Sequence, residues 1–531
     1  MKKYQKHNST CFLWALVCIL ISTIFAVILQ FFKGDVLDYA VEGESQTTIE
    51  YAVLLIIFIL CEVLFYFGYR LYSTKFVIGC TKLLKRDIFE SIIKRDYVDY
   101  KTLQQGEYIA KYTNEADTIK TRHFQMLPMF WEILFKIVFV SVALFVLDWR
   151  IALITIGLLT TPLYVPKLIE ARLQKAQAEY LKAAEANLAK VNDWLSGFEI
   201  IKNFSIERKI LSKFDKANDL TMEKLLGDLT LGAVSQLITT LISYLSYFVV
   251  LVAATWLVLK GDFSAGDFFI AIGMIDQLSY PLLSLAEIIR QLVAIKPSCQ
   301  SMEQFIAKGS RAGEGKSLTK LTRDIRYRNV VFSYPNGQPV LQNFNLEIQK
   351  GKRYLIKGPS GCGKTTAVNL LLRYYDVTGG SIEIDGVPLS EYRSTYDCMT
   401  VVRQEAVLFH DSLRNNLTMY QNIPDENLME VLHNVGLNKF AQKDALDEII
   451  VENGVNLSGG ERKRICLARA LLRDTDILIL DEPLANLDDA TAAKIEDLLL
   501  SIKDKLMIVV SHQFSDTKLS CFDSVLTLQK V

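Results

Sequence analysis

Between Cys11 and Phe32 the chain carries no formally charged residue. An apolar helix of roughly 20 residues crosses the hydrocarbon core of a bilayer, so this run predicts a membrane helix. It follows a basic tip, MKKYQKH, as the apolar part of a signal peptide would. The run is too long for that role, however, and no small-residue cleavage site follows it. We therefore interpret it as a retained membrane span.

Five further apolar runs extend the pattern to six predicted spans. They cover 11–32, 51–69, 127–147, 151–169, 233–259 and 268–295, within a transmembrane domain at 1–307. The composition agrees, since 50% of the residues are hydrophobic and only 22% are charged. Lys plus Arg and Asp plus Glu balance at 59 each, which argues against a nucleic-acid partner. The nine cysteines include no CxxC pair, so neither a disulfide framework nor a zinc site is implied.

The distribution of basic residues predicts the orientation of the chain in the membrane. The loop at 33–50 is mostly acidic, whereas the segment at 70–86 holds five Lys and Arg residues. The amino terminus should therefore be cytoplasmic. Lys-rich and Asn-rich usage suggests a bacterial plasma membrane as the location.

The connections between the predicted spans differ in length and character. The outer turns at 148–150 and 260–267 are short. The inner connections are long and amphipathic with helical spacing, which predicts membrane helices that continue into the cytosol. Two short irregular stretches at their tips, 97–105 and 204–214, are candidate docking elements.

A polar, Gly-containing stretch marks a change of composition after the last span. We interpret 308–323 as a linker and 324–531 as a second domain. In that domain short β-rich runs, from IRYRNVVFSY to LMIVVSH, alternate with helical patterns. Alternation of this kind predicts an α/β fold with a parallel sheet at its core.

The strongest local motif is Gly358-Pro-Ser-Gly-Cys-Gly363-Lys364-Thr365, between an apolar strand and a helical pattern. Glycines let backbone N–H groups wrap phosphate oxygens, and the following helix faces the anion with its N-terminus. Lys364 should reach the outer phosphates, and the Thr365 hydroxyl should ligate Mg²⁺. The predicted phosphate contacts are Gly358, Ser360, Gly361, Gly363, Lys364, Thr365 and Thr366. Cys362, inside the loop, is either a thiol that makes the site sensitive to thiol reagents or a variable filler.

A second motif is the apolar strand Ile477-Leu-Ile-Leu, which ends in Asp481 and Glu482. A buried strand that delivers an aspartate beside a phosphate loop is suited to hold the metal ion. The glutamate that follows is suited to take a proton from the attacking water.

The third motif, Leu457-Ser-Gly-Gly-Glu461, precedes a basic helix and resembles the signature of ATP-binding cassette (ABC) proteins. Tyr334, Gln404 and His512 are similar to that family's adenine-stacking aromatic, its metal-linking glutamine and its switch histidine. The stretches YVDYKTLQQGEYIAKYTNEADTIK and GFEIIKNFSIERKILSKFDKAND resemble the cytoplasmic coupling regions of exporter-type members. The chain therefore resembles an exporter-type half-transporter: six long membrane helices fused to one α/β P-loop NTPase cassette.

The resemblance implies a dimer with a second half-transporter. Each ATP would bind with Mg²⁺ at Thr365, Gln404 and Asp481 of one chain. The second chain would close over that ATP with its Ser458, Gly459 and Gly460. Glu482 and His512 would be the catalytic residues. The implied function is ATP-driven transport by alternating access, foremost export of an amphipathic small molecule, lipid or peptide. Two alternatives stay open: import of a metal chelate or nutrient, and a catalytically subordinate chain in a heterodimer. The sequence does not decide between a homodimer and a heterodimer.

Charged residues inside predicted spans are costly and are therefore candidates for cargo contact. They are Glu62 in the second span and Asp276, Glu287 and Arg290 in the sixth. An acidic cavity would suit a cationic or amphipathic cargo. The spacing of three between Glu287 and Arg290 also permits them to pair with each other instead.

Overall fold

The structure is a computed structural model. It describes residues 1–161, 165–309, 316–334, 337–451, 454–485, 487–503, 505–512, 514 and 516–530. The chain divides into two compact units. The first comprises Met1–Ile93 and Gln105–Lys308, and the second comprises Lys94–Gln104 and Gly309–Val531. The segment Lys94–Gln104 therefore belongs with the second unit, although the predicted domain at 1–307 included it.

The first unit consists of helices. They are α1 (Lys2–His7), α2 (Ser9–Glu42), α3 (Ser45–Ile93), α5 (Gln105–Ala110), α6 (Ala116–Ile119), α7 (Met126–Leu147), α8 (Trp149–Leu159), α9 (Val165–Ser196), α10 (Phe198–Asn203), α11 (Glu207–Lys260), α12 (Ala265–Ala294) and α13 (Lys296–Gly309). Two π-helical turns, Lys111–Glu115 and Lys120–Phe124, lie between α5 and α7. At 1.5 Å per residue, α3 is about 74 Å long and exceeds a bilayer core of about 30 Å. It therefore extends beyond the membrane.

Five helical segments in the described residues are long and apolar enough to cross a membrane: Ser9–Glu42, Ser45–Ile93, Gln105–Leu147, Glu207–Lys260 and Ala265–Gly309. Each contains one predicted span. The predicted span at 151–169 includes residues 162–164, which lie outside the described residues, and its first part forms the shorter apolar helix α8. A sixth span therefore stays a prediction.

The two predicted outer turns of the first unit are joined by one arginine. Asp148 caps α8 by accepting hydrogen bonds from the backbone N–H groups of Arg150 and Ile151 at 2.7 and 3.2 Å. The Arg150 guanidinium pairs with Asp148 at 2.9 Å and with Asp262, in the other turn, at 3.1 Å. The turn after α7 and the turn after α11 are thereby held together.

The two predicted docking stretches are partly helical. Tyr97–Lys101 forms the short helix α4, in the second unit. In the second stretch, 204–214, only the first three residues are irregular, because α10 ends at Asn203 and α11 begins at Glu207.

The second unit contains the strands β1 (Lys316–Ser317), β2 (Asp324–Ser333), β3 (Pro339–Gln349), β4 (Arg353–Lys357), β5 (Gly379–Ile384), β6 (Val387–Pro388), β7 (Tyr392–Ser394), β8 (Met399–Val402), β9 (Asp411–Ser412), β10 (Ile449–Ile450), β11 (Ile477–Asp481), β12 (Leu506–Val510) and β13 (Ser524–Thr527). Besides α4, its helices are α14 (Lys364–Leu371), α15 (Leu413–Thr418), α16 (Asp425–Asn434), α17 (Gly459–Leu472) and α18 (Asp489–Ser501). Of the predicted linker, residues 310–315 lie outside the described residues, and β1 pairs with β7.

The predicted parallel sheet is present, in the strand order β13-β4-β12-β11-β8. Its central strands β11 and β12 are buried throughout, which explains their unbroken apolar sequences. The runs IRYRNVVFSY and SIEID were expected to belong with this core. They lie instead in an antiparallel sheet of order β3-β2-β5-β6. The apolar run of β2 is interrupted by Arg326, Arg328 and Asn329. Such polar residues suit a strand that has one face more exposed than the strands of the buried parallel sheet.

Candidate functional site

The phosphate loop connects β4 to α14, as the sequence predicts. Gly363 adopts φ +96° and immediately precedes α14. Gly358 adopts φ +148°, and a Cβ atom there would lie 2.4 Å from the Leu528 carbonyl oxygen. Both positions therefore require glycine. Cys362 in the same loop is buried, with only 2% of its surface exposed.

The side chain of Lys364, at the start of α14, reaches back into the phosphate loop. Its ammonium donates to the carbonyl oxygens of Gly358 at 2.6 Å and Pro359 at 3.0 Å. Its Nζ is also 2.9 Å from Nε2 of His512, which follows the end of β12. A cation and an imidazole thus meet at the mouth of the loop.

Asp481 and Glu482 stand at the end of β11, beside this loop. Glu482 has φ +50°, which is unusual for a residue with a side chain, and its N–H donates to the Val510 carbonyl at 2.8 Å. The buried ammonium of Lys463 donates to the carbonyl oxygens of Glu482 and Ala485. The Glu482 carboxylate is 3.8 Å from Nε2 of His512. The loop that carries Glu482 is therefore fixed from two sides.

Burial raises the pKa of the Asp481 carboxyl, and the guanidinium of Arg403 opposes that rise. Arg403 Nη1 lies 3.8 Å from Asp481 Oδ2. This arginine directly precedes Gln404. Neither Arg403 nor Lys463 was singled out by sequence, although both are charged residues next to or inside recognised motifs.

Tyr334 closes one side of the site. Its ring meets Phe332 and Tyr375 edge to face, with centroids 4.9 and 5.2 Å apart. Its hydroxyl is 3.1 Å from the Thr366 hydroxyl. The ring is thereby held against the start of α14.

These groups surround one pocket of about 610 Å³. Its lining comprises Tyr334, Val340, Ser360, Gly361, Gly363, Lys364, Thr365, Thr366, Gln404, Asp481, Glu482, Ala485 and His512. The structure thus brings together predicted residues from five separate stretches of the sequence. Gly358 does not line the pocket but accepts the hydrogen bond from Lys364.

The predicted signature residues Ser458, Gly459 and Gly460 do not line this pocket. Ser458 caps α17 by accepting from the Glu461 N–H at 3.2 Å, and Glu461 accepts from the Ser458 N–H at 2.9 Å. Glu461 also pairs with Lys439 at 2.6 Å. The signature is thus a rigid helix start that is separate from the pocket of its own chain.

The charged residues inside the membrane segments fall into two groups. Glu287 and Arg290 pair at 2.8 Å, as their spacing permits. A second pair, Glu132 and Lys136 at 2.9 Å in α7, was missed by the sequence reading although its i, i+4 spacing was visible. Among the described residues, Glu62 and Asp276 make no ion pair.

Comparisons with known proteins agree on one family. The model of the ABC transporter transmembrane region matches residues 12–282, and that of the ABC transporter cassette matches 341–485. An ATP-dependent lipid A-core flippase of Escherichia coli (strain K12) is 30% identical over 389 residues, covering 72% of this chain and 67% of the flippase. Another, of Syntrophus aciditrophicus, is 25% identical over 97% of this chain and 87% of its own length.

A solved structure of a bacterial Atm1-family ABC exporter with ATP bound has a similar fold. The TM-score is 0.81 at 21% identity, over 99% of this chain and 94% of that one.

Proposed function

The chain belongs to the ABC transporter family, and from that premise we propose that it is one half of a dimeric, ATP-driven exporter of an amphipathic, lipid-like molecule. The observation that carries this proposal is the single pocket in which the phosphate loop, Asp481, Glu482 and His512 meet. The described part of the same chain holds five helical segments that are long and apolar enough to cross a bilayer. A nucleotide site joined to membrane helices is what coupled transport requires.

In the proposed site the phosphate loop and Lys364 bind the phosphates of ATP, and Tyr334 stacks on the adenine. Glu482 accepts a proton from the attacking water, and His512 binds the γ-phosphate. The 3.8 Å between Glu482 and His512 supports this division of roles.

The donor set of the pocket fits Mg²⁺. A threonine hydroxyl, a glutamine amide and an aspartate carboxylate, those of Thr365, Gln404 and Asp481, all line it. Hard oxygen donors of this kind suit Mg²⁺, which in such sites neutralises charge on the phosphates. We assign these three residues as its protein ligands.

A second chain completes the site in this proposal. Ser458, Gly459 and Gly460 lie outside the pocket of their own chain, yet α17 presents backbone N–H groups at its start. Closure of two cassettes would bring one chain's α17 over the phosphates bound by the other. The amino terminus and the cassette would be cytoplasmic, in a plasma membrane.

The proposed cargo class rests on the relatives and on the membrane charges. The similar proteins of E. coli and S. aciditrophicus are lipid A-core flippases. Glu62 and Asp276, which lack an ion pair among the described residues, are the proposed headgroup contacts. A lipid in the surrounding membrane is therefore the first cargo to test, ahead of a peptide or a free small molecule.

The test is Mg²⁺-dependent ATP hydrolysis by the purified chain in lipid nanodiscs, with its mass recorded. Glu482→Gln should lower turnover by about 100-fold or more, the typical share of a general base. Glu430→Gln, the same change at an exposed glutamate of α16, should leave it unchanged. Turnover by a dimer of this chain alone would establish a homodimer. A folded protein that binds ATP but neither dimerises nor turns over would contradict that and indicate a missing partner chain.

A further inference from the structure

An arginine lies behind one of the carboxylates that we assign to Mg²⁺. Nη1 of Arg403 is 3.8 Å from Oδ2 of Asp481. Asp481 lines the nucleotide pocket, whereas Arg403 does not. The guanidinium therefore faces this carboxylate from outside the pocket.

Arg403 is held in place by groups other than Asp481. Its Nη2 donates a hydrogen bond to Oδ1 of Asn369, in α14, at 2.7 Å. Its guanidinium carbon lies 5.3 Å from the centroid of the Tyr374 ring. The 3.8 Å to Asp481 is too long for a hydrogen bond. Arg403 therefore acts on Asp481 through its charge and does not fix the orientation of the carboxylate.

Asp481 needs a positive charge nearby because it is buried, with a side chain only 8% exposed. Burial raises the pKa of the Asp481 carboxyl, and Arg403 opposes that rise more strongly than Lys364 or Lys463 does. A buried carboxylate without a countercharge is costly. Arg403 is thus the main countercharge that the chain itself supplies to this proposed metal ligand.

This arrangement has opposite consequences for a metal ion and for the nucleotide. A fixed cation that faces a ligand carboxylate repels a divalent cation bound to the same group. The same cation attracts the phosphates of ATP, which are anions. Groups around the direct ligands commonly tune the affinity of a metal site in this way.

We propose that Arg403 sets the divalent-cation affinity of the pocket, weakening Mg²⁺ binding at Asp481 and strengthening the binding of metal-free ATP. Arg403 is a positioning residue, because it acts through Asp481. The inference rests on the proposed function and adds to it a residue that controls the metal. Sequence motifs do not reveal this role, because it depends on the contact between Arg403 and Asp481 across the fold.

The experiment measures the two effects separately in the full-length chain in nanodiscs, with Glu482→Gln as the parent so that ATP is held without hydrolysis. Mn²⁺, which takes the same oxygen ligands as Mg²⁺, is titrated into ATP-loaded protein freed of unbound nucleotide, and free Mn²⁺ is counted by EPR. Adding Arg403→Gln should tighten Mn²⁺ binding by about fivefold or more. In EDTA, equilibrium dialysis should show ATP binding weakened by about threefold or more. Simple damage to the site would weaken both.

Two matched variants separate the charge of Arg403 from its other contacts. Arg403→Lys keeps the charge and should bind Mn²⁺ and ATP within about twofold of the parent. Arg328→Gln makes the same change at an arginine that pairs with Glu383 at 3.2 Å in the antiparallel sheet, and it should behave as the parent.

The outcomes separate this proposal from the one on which it rests. Unchanged or weaker Mn²⁺ binding in Arg403→Gln would overturn the role of Arg403. An equal effect in Arg403→Lys or in Arg328→Gln would overturn it as well. Failure of the parent protein to bind ATP would instead overturn the proposed function, and it would appear before the Arg403 variants are compared.

Discussion

Lys463 offers the sharpest test of how the Glu482 loop is held. Its side chain is 3% exposed, and it donates from α17 to the carbonyl oxygens of Glu482 and Ala485. Lys463→Met keeps the length and apolar stem but leaves two acceptors without this partner. An unsatisfied buried polar group costs about 1–3 kcal/mol. Burial also lowers the pKa of Lys463, because the buried charge itself costs free energy. Replacing it by methionine removes that cost and offsets part of the destabilisation. We expect a net cost of about 2–4 kcal/mol.

The effect on catalysis should exceed a simple loss of folded protein. Glu482 has φ +50°, a conformation that costs about 1–2 kcal/mol for a residue with a side chain. Without Lys463 this backbone can relax and carry the carboxylate away from His512. The kcat for ATP should therefore fall by at least about tenfold, equivalent to about 1.4 kcal/mol, while KM changes little.

The measurement combines thermal unfolding of the full chain with steady-state ATP hydrolysis in nanodiscs. Lys494→Met, the same change at an exposed lysine of α18, controls for loss of a positive charge. The reasoning is refuted if Lys463→Met melts and turns over like the Lys494 variant. A lower melting temperature with an unchanged kcat would show that the lysine stabilises the cassette without positioning Glu482.

Three further predictions concern the cassette. Gly358→Ala would place a Cβ 2.4 Å from the Leu528 carbonyl oxygen at φ +148°, so ATP binding measured by equilibrium dialysis should be lost, whereas Gly351→Ala should retain it. Ser458→Ala removes the cap of α17 and should lower stability by about 1 kcal/mol in thermal unfolding. Although burial works to raise the pKa of Glu461, Lys439 and the Ser458 N–H outweigh it and hold that pKa below its usual range. The stabilisation is present above the unfolded pKa and lost as pH falls through the folded one, so the melting difference between wild type and Glu461→Gln should shrink on acidification.

The residues of the nucleotide pocket were accessible to sequence reasoning because each lies in a short motif with its own chemistry. Arg403 and Lys463 were not, because their roles depend on partners far along the chain. Arg403 meets Asp481, and Lys463 meets the backbone of Glu482. No local pattern reports such a pairing. The same limit explains the second sheet, because alternation of strands and helices does not state which strands are neighbours.

The spacing of two charged residues along one helix can be read from the sequence, because contacts between neighbouring turns of a helix do not depend on the rest of the fold. The spacing of three between Glu287 and Arg290 permitted their pairing, and the structure contains it. Applied to α7, the same rule would have found Glu132 and Lys136. Removing paired charges from the candidates leaves Glu62 and Asp276 as carboxylates without an ion pair among the described residues. An unpaired charge is costly within a bilayer, so if the proposed function holds we expect a cargo headgroup to gain most from binding beside these two acids, and a positively charged group to gain more than a negative one.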